Sequence, residues 1–281
     1  MRVLVIGGNG MAGHLMIQYL SRTTSHEVFH TVRAGKGRSI GPRGLNLDAR
    51  DSEAVKHLMT ALKPDMIVNC AGILNDFARQ NEVDAYRVNG LLPHVLAELA
   101  DRLGARLVHI STDCVFSGER GSYEERHVPD GTSVYAKTKA LGEIFRAPHV
   151  TVRTSIVGPE VREKGIGLLH WFMHQRGEIK GFLQVPWNGV TTLELAKFVH
   201  HLMEEGREIT GLVHLTAAKP LSKCRMLELF QSVFEKRDVV IRPDDAIVLD
   251  RTLKCTRSDL GYSAPDFERM LYELRDWMAE Q

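Results

Sequence analysis

The first part of the chain alternates short apolar runs with longer segments in which apolar and polar residues recur at helical spacing. Five short, largely apolar runs have the composition of buried parallel strands, at residues 3–6, 28–32, 66–70, 107–110 and 150–152. A further short run at 45–47 predicts one more strand. Strands that alternate in this way with helices predict a parallel sheet that is covered on both faces.

Four helices are predicted between these strands, over residues 11–20, 52–61, 82–103 and 133–145. Asp51 is a candidate N-cap for the second helix, and Glu53 lies in its first turn, where a negative charge favours the helix dipole. The third helix ends at Gly104 and carries Pro93, which predicts a kink or joint inside it.

The pattern changes after Gly158, where residues 158–190 are rich in glycine and aromatic residues and have weak periodicity. Beyond them we predict helices over 192–205, 226–234 and 265–279 and strands over 213–216 and 239–241. We therefore expect an α/β fold, a Rossmann-type doubly wound parallel sheet with a smaller, interleaved C-terminal part. Residues 1–157 are expected to form the NAD(P)-binding domain, with 192–216 returning to it, and residues 158–191 and 217–281 the substrate-binding part.

Composition narrows the class of protein. Thirty-six basic residues stand against 35 acidic ones, so charge gives no support to a nucleic-acid partner. The hydrophobic and charged fractions, 43% and 25%, argue against disorder. We find neither a membrane-spanning run nor an export signal, and therefore expect a cytoplasmic protein without a membrane partner. Four widely spaced cysteines without a CxxC pair favour free thiols and no metal site.

A glycine-rich segment, Gly-Gly-Asn-Gly-Met-Ala-Gly at residues 7–13, connects the first strand to the first helix. Gly7 allows a tight turn, Gly10 lets the backbone approach a pyrophosphate, and Gly13 permits close packing of helix on strand. The helix N-terminus offers N–H groups and partial positive charge to phosphates. This context predicts a dinucleotide cofactor.

The residues after the second and third strands bear on the identity of that cofactor. Arg33 stands where an NAD site often places an acid that holds the ribose 2′-hydroxyl, and Lys36 and Arg38 follow it. A basic residue there favours a 2′-phosphate, so NADP(H) is expected to be preferred, with NAD(H) and a merely solvated basic loop as alternatives. Asp48 is expected to accept a hydrogen bond from the adenine amine, or else to cap the following helix.

A tyrosine and a lysine with helical spacing carry the candidate chemistry. Tyr135 and Lys139 share a helix face, and an ammonium beside a phenol is expected to lower the phenol pKa, so that Tyr135 serves as a general acid or base near neutral pH. Thr112 and Asp113 follow the strand at 107–110, at the sheet edge where ligands bind in open α/β folds. A hydroxyl there can hydrogen-bond a substrate oxygen.

Together these motifs resemble the extended short-chain dehydrogenase/reductases, and within them the dTDP-4-dehydrorhamnose reductase-like sugar-nucleotide branch. The resemblance rests on the glycine loop, Asn-Cys-Ala-Gly at 69–72, Ser-Thr-Asp-Cys-Val-Phe at 111–116, Tyr135 with Lys139, and Arg-Thr-Ser at 153–155. It continues through 187–192 and 250–253 and so covers essentially the whole chain. It implies an NADPH-dependent reductase that acts on a nucleotide-linked keto-deoxysugar.

The resemblance also implies roles for single residues. Thr112 would be the catalytic hydroxyl, Tyr135 the proton donor, and Lys139 its partner and a contact of the nicotinamide ribose. Asn89 would position the neighbouring region. The cofactor would lie against Gly10, Met11, Ala12, Ala71 and Gly72.

Two departures from the branch lie where the sugar is expected to bind. Cys114 stands where the branch usually has tyrosine, and Ile156 where it often has a tryptophan against the sugar. Together with Asp113 and Trp187 they mark the expected substrate pocket. They leave the identity of the sugar open.

Two alternative functions and several partner questions stay open at this point. A sugar-nucleotide epimerase with bound NAD is disfavoured by Arg33, and a non-catalytic dinucleotide-binding regulatory subunit is disfavoured by the intact catalytic trio. A substrate pyrophosphate would be held by one or more of Arg153, Arg162 and Lys164. The expected partner is a nucleotide sugar, and a homodimer is left open.

Overall fold

The computed structural model describes residues 1–33, 42–161 and 165–280. Its strands are, in chain order, β1 (Arg2–Ile6), β2 (Glu27–Val32), β3 (Gly44–Asn46), β4 (Met66–Asn69), β5 (Arg106–Ile110), β6 (Val150–Arg153), β7 (Ile156–Val157), β8 (Gly177–Phe182), β9 (Pro186–Trp187), β10 (Val190–Thr191), β11 (Gly211–His214), β12 (Leu221–Ser222) and β13 (Val239–Asp244). Its α-helices are α1 (Met11–Thr23), α2 (Ser52–Leu62), α3 (Asn75–Gln80), α4 (Glu82–Ala85), α5 (Leu92–Leu103), α6 (Val134–Leu141), α7 (Leu168–Met173), α8 (Thr192–Glu204), α9 (Lys223–Val233) and α10 (Phe267–Ala279).

Seven parallel strands form the central sheet, in the order β11-β6-β5-β4-β1-β2-β3. Apolar clusters lie on both of its faces, one with α1, α8, α9 and α10 and the other with α2 and α5. This confirms the predicted Rossmann-type fold. The order places β1, β4 and β5 side by side, so that the segments that follow them meet at one edge of the sheet.

The C-terminal half contributes to the sheet and also builds small two-stranded sheets beside it. Strand β11 pairs with β6 in the central sheet, Gly211 opposite Val150. Strands β8 and β13, β9 and β12, and β7 and β10 form the two-stranded sheets. Across the described ranges, no helix is long and apolar enough to cross a membrane.

The predicted helices differ from the observed ones mainly in the middle of the chain. The helix predicted over 82–103 is α4, a π-helical segment Tyr86–Leu91 and α5 in succession, and Pro93 lies in the first turn of α5. Gly104 ends α5 in a left-handed conformation, φ 67°, as predicted. Asp51 caps α2 as predicted, accepting hydrogen bonds from the N–H groups of Glu53 and Ala54.

The helix predicted over 133–145 is wrong at its C-terminal end, because α6 ends at Leu141. Beyond it, the backbone N–H and carbonyl of Ile144 both bond to the Thr151 hydroxyl, each at 2.9 Å. The Glu143 side chain is drawn into the interior, where it pairs with Arg153. These contacts with β6 replace the last helical turn.

Candidate active site

The glycine loop packs tightly against the start of α1. Gly7 has a φ of 88°, a region that favours glycine, and the Gly10 N–H donates to the Gly7 carbonyl at 3.0 Å. A Cβ added to Gly13 would lie 2.2 Å from that same carbonyl oxygen. Gly10 is the N-cap of α1 and has no side chain that could cap the helix. No capping side chain therefore accepts from the N–H groups of the first turn, which include those of Met11 and Ala12. The loop thus has the form of an anion cradle.

The segment after β4 lies directly against this loop. A Cβ added to Gly7 would approach the Ala71 nitrogen to 2.9 Å, and the Ala71 N–H donates to the Asn69 side chain at 3.2 Å. Asn89, in the π-helical segment, accepts from the Ile73 N–H at 2.8 Å. Its amide also donates to the Ile73 carbonyl and to the Thr138 hydroxyl, at 2.9 and 3.1 Å. Asn89 therefore ties the exposed turn at Gly72 to α6, and π-helical turns are frequent at functional sites.

Arg33 follows β2, the strand that pairs with β1, and is exposed. The Asp48 carboxylate pairs with Arg50, whose Nε lies 2.9 Å from Oδ1, and this guanidinium lowers the pKa of Asp48 to about 2. Asp51 is the cap of α2, so the alternative that Asp48 caps this helix is wrong. The adjoining Lys36 and Arg38 lie outside the described residues.

Tyr135 lies in the first turn of α6, half-buried beside Asp113 and Cys114. Burial raises the pKa of its phenol above the ordinary value, the two neighbours raise it further, and a hydrogen bond with the Thr112 hydroxyl offsets part of the rise. The expected lowering of this pKa is therefore wrong. Burial has the largest effect on this pKa, and the Lys139 ammonium donates its hydrogen bond to the Ile110 carbonyl.

Lys139 is 3% exposed, and its Nζ donates to the Ile110 carbonyl at 2.7 Å. It also lies 3.4 Å from Nε2 of His109 on β5. Burial lowers the pKa of Lys139 to about 8, while Glu143 and Cys70 oppose the change. The ammonium thus rests on the end of β5 and faces Cys70, which adjoins the glycine loop.

Thr112 follows β5 and is buried. Its hydroxyl donates to Oδ1 of Asp113 at 3.1 Å and accepts from the Cys114 N–H at 3.1 Å, which caps a short 3₁₀ turn over Asp113–Val115. Tyr135 and Lys139 of α6 lie against the same strand end. The structure therefore brings the three predicted catalytic side chains together at the carboxyl edge of the sheet.

The residues predicted to contact the sugar differ in how far they are exposed. Trp187 is 5% exposed and packs edge-on against Phe267, with ring centroids 4.8 Å apart. Ile156 lies half-buried on β7. Burial, with a smaller effect of Asp113, raises the pKa of the Cys114 thiol to about 12, which leaves it a neutral side chain.

Lys223 is a residue that sequence reasoning missed. Its Nζ lies 5.2 Å from the centroid of the Trp187 ring, and it is the strongest of the charges that lower the pKa of Asp113 against the effect of burial. A single lysine gives no sequence signal by itself, because lysines are usually exposed.

Arg153 has a structural role. Its guanidinium binds Glu143 with both ends, Nε to Oε1 at 2.7 Å and an Nη to Oε2 at 2.6 Å, and it lies over the Phe116 ring. Both members of the pair are inaccessible to solvent. The prediction that Arg153 pairs with a substrate pyrophosphate is therefore wrong. Arg162 and Lys164 lie outside the described residues.

A cavity of about 360 Å³ lies away from the catalytic group, between the end of β11 and the segments at 252–255 and 260–264. Asn188 builds one wall, since its amide donates to the Leu253 carbonyl at 2.7 Å and accepts from the Leu253 N–H at 3.1 Å. This bridge joins two of the segments on which the family resemblance rests. None of Thr112, Tyr135 and Lys139 lines the cavity.

Comparison with known proteins shows which family and which curated proteins this chain resembles. The RmlD substrate binding domain family matches residues 1–248. The methionine adenosyltransferase 2 subunit beta of Mus musculus is 34% identical over 143 residues, which are 50% of this chain and 41% of that protein. The dTDP-4-dehydrorhamnose reductase of Mycobacterium tuberculosis (strain ATCC 25618 / H37Rv) is 33% identical over 150 residues, 50% of this chain and 44% of that protein. The chain thus spans less than half the length of these curated relatives.

The fold has close counterparts among solved structures. The dTDP-4-dehydrorhamnose reductase of Bacillus anthracis str. Ames, solved in complex with NADP, covers 100% of this chain with 99% of its own, at a TM-score of 0.80 and 20% identity. This likeness shows the shared fold, and the family match covers most of the chain. The chain therefore belongs to the RmlD substrate binding domain family, which confirms the resemblance seen in its motifs.

Proposed function

We propose that the protein is an NADPH-dependent reductase of a nucleotide-linked keto-deoxysugar. The observation that carries the proposal is the meeting of Thr112, Tyr135 and Lys139 at the end of β5, beside a glycine loop shaped for a pyrophosphate. Family membership supports it, as do relatives named dTDP-4-dehydrorhamnose reductase.

The residues of this chain perform the proton chemistry. When bound, NADPH supplies the hydride that adds to the sugar carbonyl carbon. Tyr135 gives its phenolic proton to the carbonyl oxygen as a general acid. Thr112 donates to the same oxygen once its hydroxyl turns away from Asp113. Lys139 holds the nicotinamide ribose with the ammonium that here rests on the Ile110 carbonyl.

The cofactor would lie along the glycine loop, with its adenine end toward β2 and β3. We assign its pyrophosphate to the backbone at the start of α1 and its 2′-phosphate to Arg33, so that NADP(H) is preferred over NAD(H). Asp48 remains a candidate acceptor for the adenine amine, since its carboxylate has lone pairs beyond those that Arg50 uses. The full set of cofactor contacts is Gly7, Gly10, Met11, Ala12, Gly13, Arg33, Asp48, Ala71, Gly72, Tyr135 and Lys139.

We assign the substrate-binding part to residues 158–191 and 217–281, and the sugar contacts to Thr112, Asp113, Ile156 and Trp187. All four cysteines of the chain are free thiols, which supports a reducing, cytoplasmic setting.

We infer a homodimer from exposed apolar side chains on the adjoining segments α3 to α6. Light scattering measures the mass of the particle in solution and so tests this inference. These side chains are Phe77, Val83, Tyr86, Leu91 and Leu141.

Turnover tests the function directly. NADPH absorbance is followed with a panel of nucleotide-linked 4-keto-sugars, for the unmodified protein and for Tyr135→Phe. We expect the variant to lose at least about 10²-fold in kcat, the low end for a positioned general acid, with NADPH affinity unchanged. Tyr272→Phe removes the hydroxyl of an exposed tyrosine in α10 and serves as the matched control.

Turnover, cofactor binding and analysis of the sugar product together separate the alternatives. Full activity of Tyr135→Phe on a confirmed substrate would overturn the mechanism. Cofactor binding without turnover of any sugar would indicate a regulatory subunit. Interconversion of sugar epimers with tightly held NAD would indicate an epimerase.

A further inference from the structure

A chain of buried polar side chains connects the end of β4 to the catalytic lysine. Asn69 and His109 lie opposite each other in the parallel pairing of β4 with β5, and both are inaccessible to solvent. Nδ2 of Asn69 lies 3.1 Å from Nδ1 of His109. Nε2 of the same ring lies 3.4 Å from Nζ of Lys139. The imidazole of His109 therefore stands between an amide and an amine, with one ring nitrogen facing each.

The backbone fixes which end of the Asn69 amide faces the ring. The N–H of Ala71 donates to Oδ1 of Asn69 at 3.2 Å. A backbone N–H can only donate, so the atom that it meets is the amide oxygen and the NH₂ group faces His109. The NH₂ group of an amide can only donate in turn. Nδ1 of His109 therefore accepts this hydrogen bond and carries no proton.

The acceptor role of Nδ1 decides the state of Nε2. Burial lowers the pKa of His109 well below its ordinary value, and Lys139 and His94 lower it further, so the ring is neutral. A neutral imidazole has one N–H, which here must be at Nε2. The group that faces Lys139 is thus a donor. A neutral amine can accept from it through its lone pair, whereas an ammonium has donors alone.

We propose that His109 is a positioning residue of the active site, in which Asn69 fixes the tautomer and the Nε2–H favours the neutral amine of Lys139 over the ammonium. The inference rests on the proposed function for the role of Lys139 at the nicotinamide ribose. The ammonium donates to the Ile110 carbonyl at 2.7 Å, but beside a second donor it releases a proton more readily. His109 thereby sets the pH at which Lys139 ceases to hold the cofactor as a cation.

The other titratable groups around Lys139 do not supply this effect. Glu143 favours the ammonium, and Arg153 balances its charge by binding both carboxylate oxygens. Burial raises the pKa of the Cys70 thiol to about 12 and also raises the pKa of the Tyr135 phenol. Both groups are therefore neutral while Lys139 titrates. Besides burial, the Nε2–H is the feature that favours the amine.

Nitrogen-15 NMR of the histidine-labelled protein tests the tautomer directly. The signals of His109 are assigned by their loss in His109→Gln. We expect a proton on Nε2 and none on Nδ1 at neutral pH. A proton on Nδ1 would overturn the proposal, because Nε2 would then accept a hydrogen bond from the ammonium.

Two variants of Asn69 with nearly the same shape separate hydrogen bonding from charge. Asn69→Leu removes the donor to Nδ1 without adding a charge, and Asn69→Asp replaces it by an acceptor. In both variants the ring of His109 can carry its proton on Nδ1 and accept from the ammonium through Nε2. The matched control is Asn188→Leu, which removes another buried amide away from the catalytic group. Thermal unfolding of each variant verifies that it is folded.

The pKa of Lys139 is read from the carbon-13 shift of its ε-carbon, which Lys139→Met assigns. We expect it to rise by about 1 unit in Asn69→Leu, the effect of one hydrogen bond of ordinary net strength. It should rise further in Asn69→Asp, because the added carboxylate also favours the ammonium. Asn188→Leu should leave it unchanged. A rise in Asn69→Asp alone would be an effect of charge and would overturn the proposal, as would no rise in either variant.

NADPH affinity as a function of pH gives the functional readout. The affinity should fall as Lys139 loses its proton, and this fall should move to higher pH by the same amount in Asn69→Leu. A purely structural role of Asn69 would instead weaken binding equally at every pH, which would count against the proposal. The expected tautomer and shifts without NADPH oxidation on any sugar would reject the reductase proposal alone. Turnover by a protein whose His109 carries its proton on Nδ1 would reject the His109 assignment alone.

Discussion

Replacing Arg153 by methionine removes the cationic half of an ion pair that is buried between β6 and the segment after α6. Oε2 of Glu143 loses its bond to the guanidinium, and Oε1 keeps only the Ser111 hydroxyl at 2.8 Å. Methionine fills much of the volume under Phe116 but donates no hydrogen bond. The variant therefore leaves the Glu143 carboxylate in the interior without its ion-pair partner.

The exposure of the two partners sets the size of the effect. Their side chains are 1% and 0% accessible, and breaking such a buried pair from one side costs about 3–5 kcal/mol of unfolding free energy. At about 2–4 °C per kcal/mol, the range for chains of about 150–250 residues, Tm should fall by roughly 6–20 °C. The double variant Arg153→Met with Glu143→Gln should recover part of this loss, because the stranded charge is gone.

Thermal and urea unfolding measure the change, with Arg242→Met as the control. Arg242 pairs with Glu178 at 2.6 Å, the same distance as in the buried pair, but both side chains of this control pair are 63% exposed. An exposed pair contributes about 0–1 kcal/mol. If Arg153→Met unfolded like Arg242→Met but bound a nucleoside diphosphate more weakly, Arg153 would be a phosphate ligand and the structural interpretation would fail.

Two further predictions concern charge in the active site. The pKa of Lys139 is about 8 when folded and 10.5 ordinarily, so between these pH values the unfolded chain holds a proton that the folded chain has lost. The free energy of unfolding should therefore rise with pH across this window, by up to roughly 3 kcal/mol relative to Lys139→Met. Urea unfolding of both proteins from pH 7 to 10.5 measures the difference. If their free energies of unfolding changed in parallel with pH, the prediction would be contradicted. Arg33→Ala should reduce the affinity for NADPH and leave that for NADH unchanged, as nicotinamide fluorescence reports; equal affinities for both cofactors in the unmodified protein would refute the role of Arg33.

Much of the fold and part of the candidate site could be predicted from the sequence, because they depend on local pattern. A buried parallel strand is a short apolar run whatever its neighbours, so the strand at 107–110 and the position of Thr112 just beyond it were predictable. The glycine loop is likewise local, since the 2.2 Å approach between Gly13 and the Gly7 carbonyl occurs within one turn. The cap at Asp51 follows from the same kind of reasoning.

What only the tertiary structure decided is where each charge finds its partner. The spacing of Tyr135 and Lys139 predicts that they share a helix. The hydrogen bond from the Lys139 ammonium to the Ile110 carbonyl depends on β5, a different element of the fold. The buried ion pair of Arg153 with Glu143 depends in the same way on the packing of β6 against the segment after α6. The position of Lys223 over the Trp187 ring depends on the pairing of β12 with β9. Hydrophobic periodicity is carried by neighbouring residues, whereas the burial and pairing of a charge depend on residues that only the folded chain brings together.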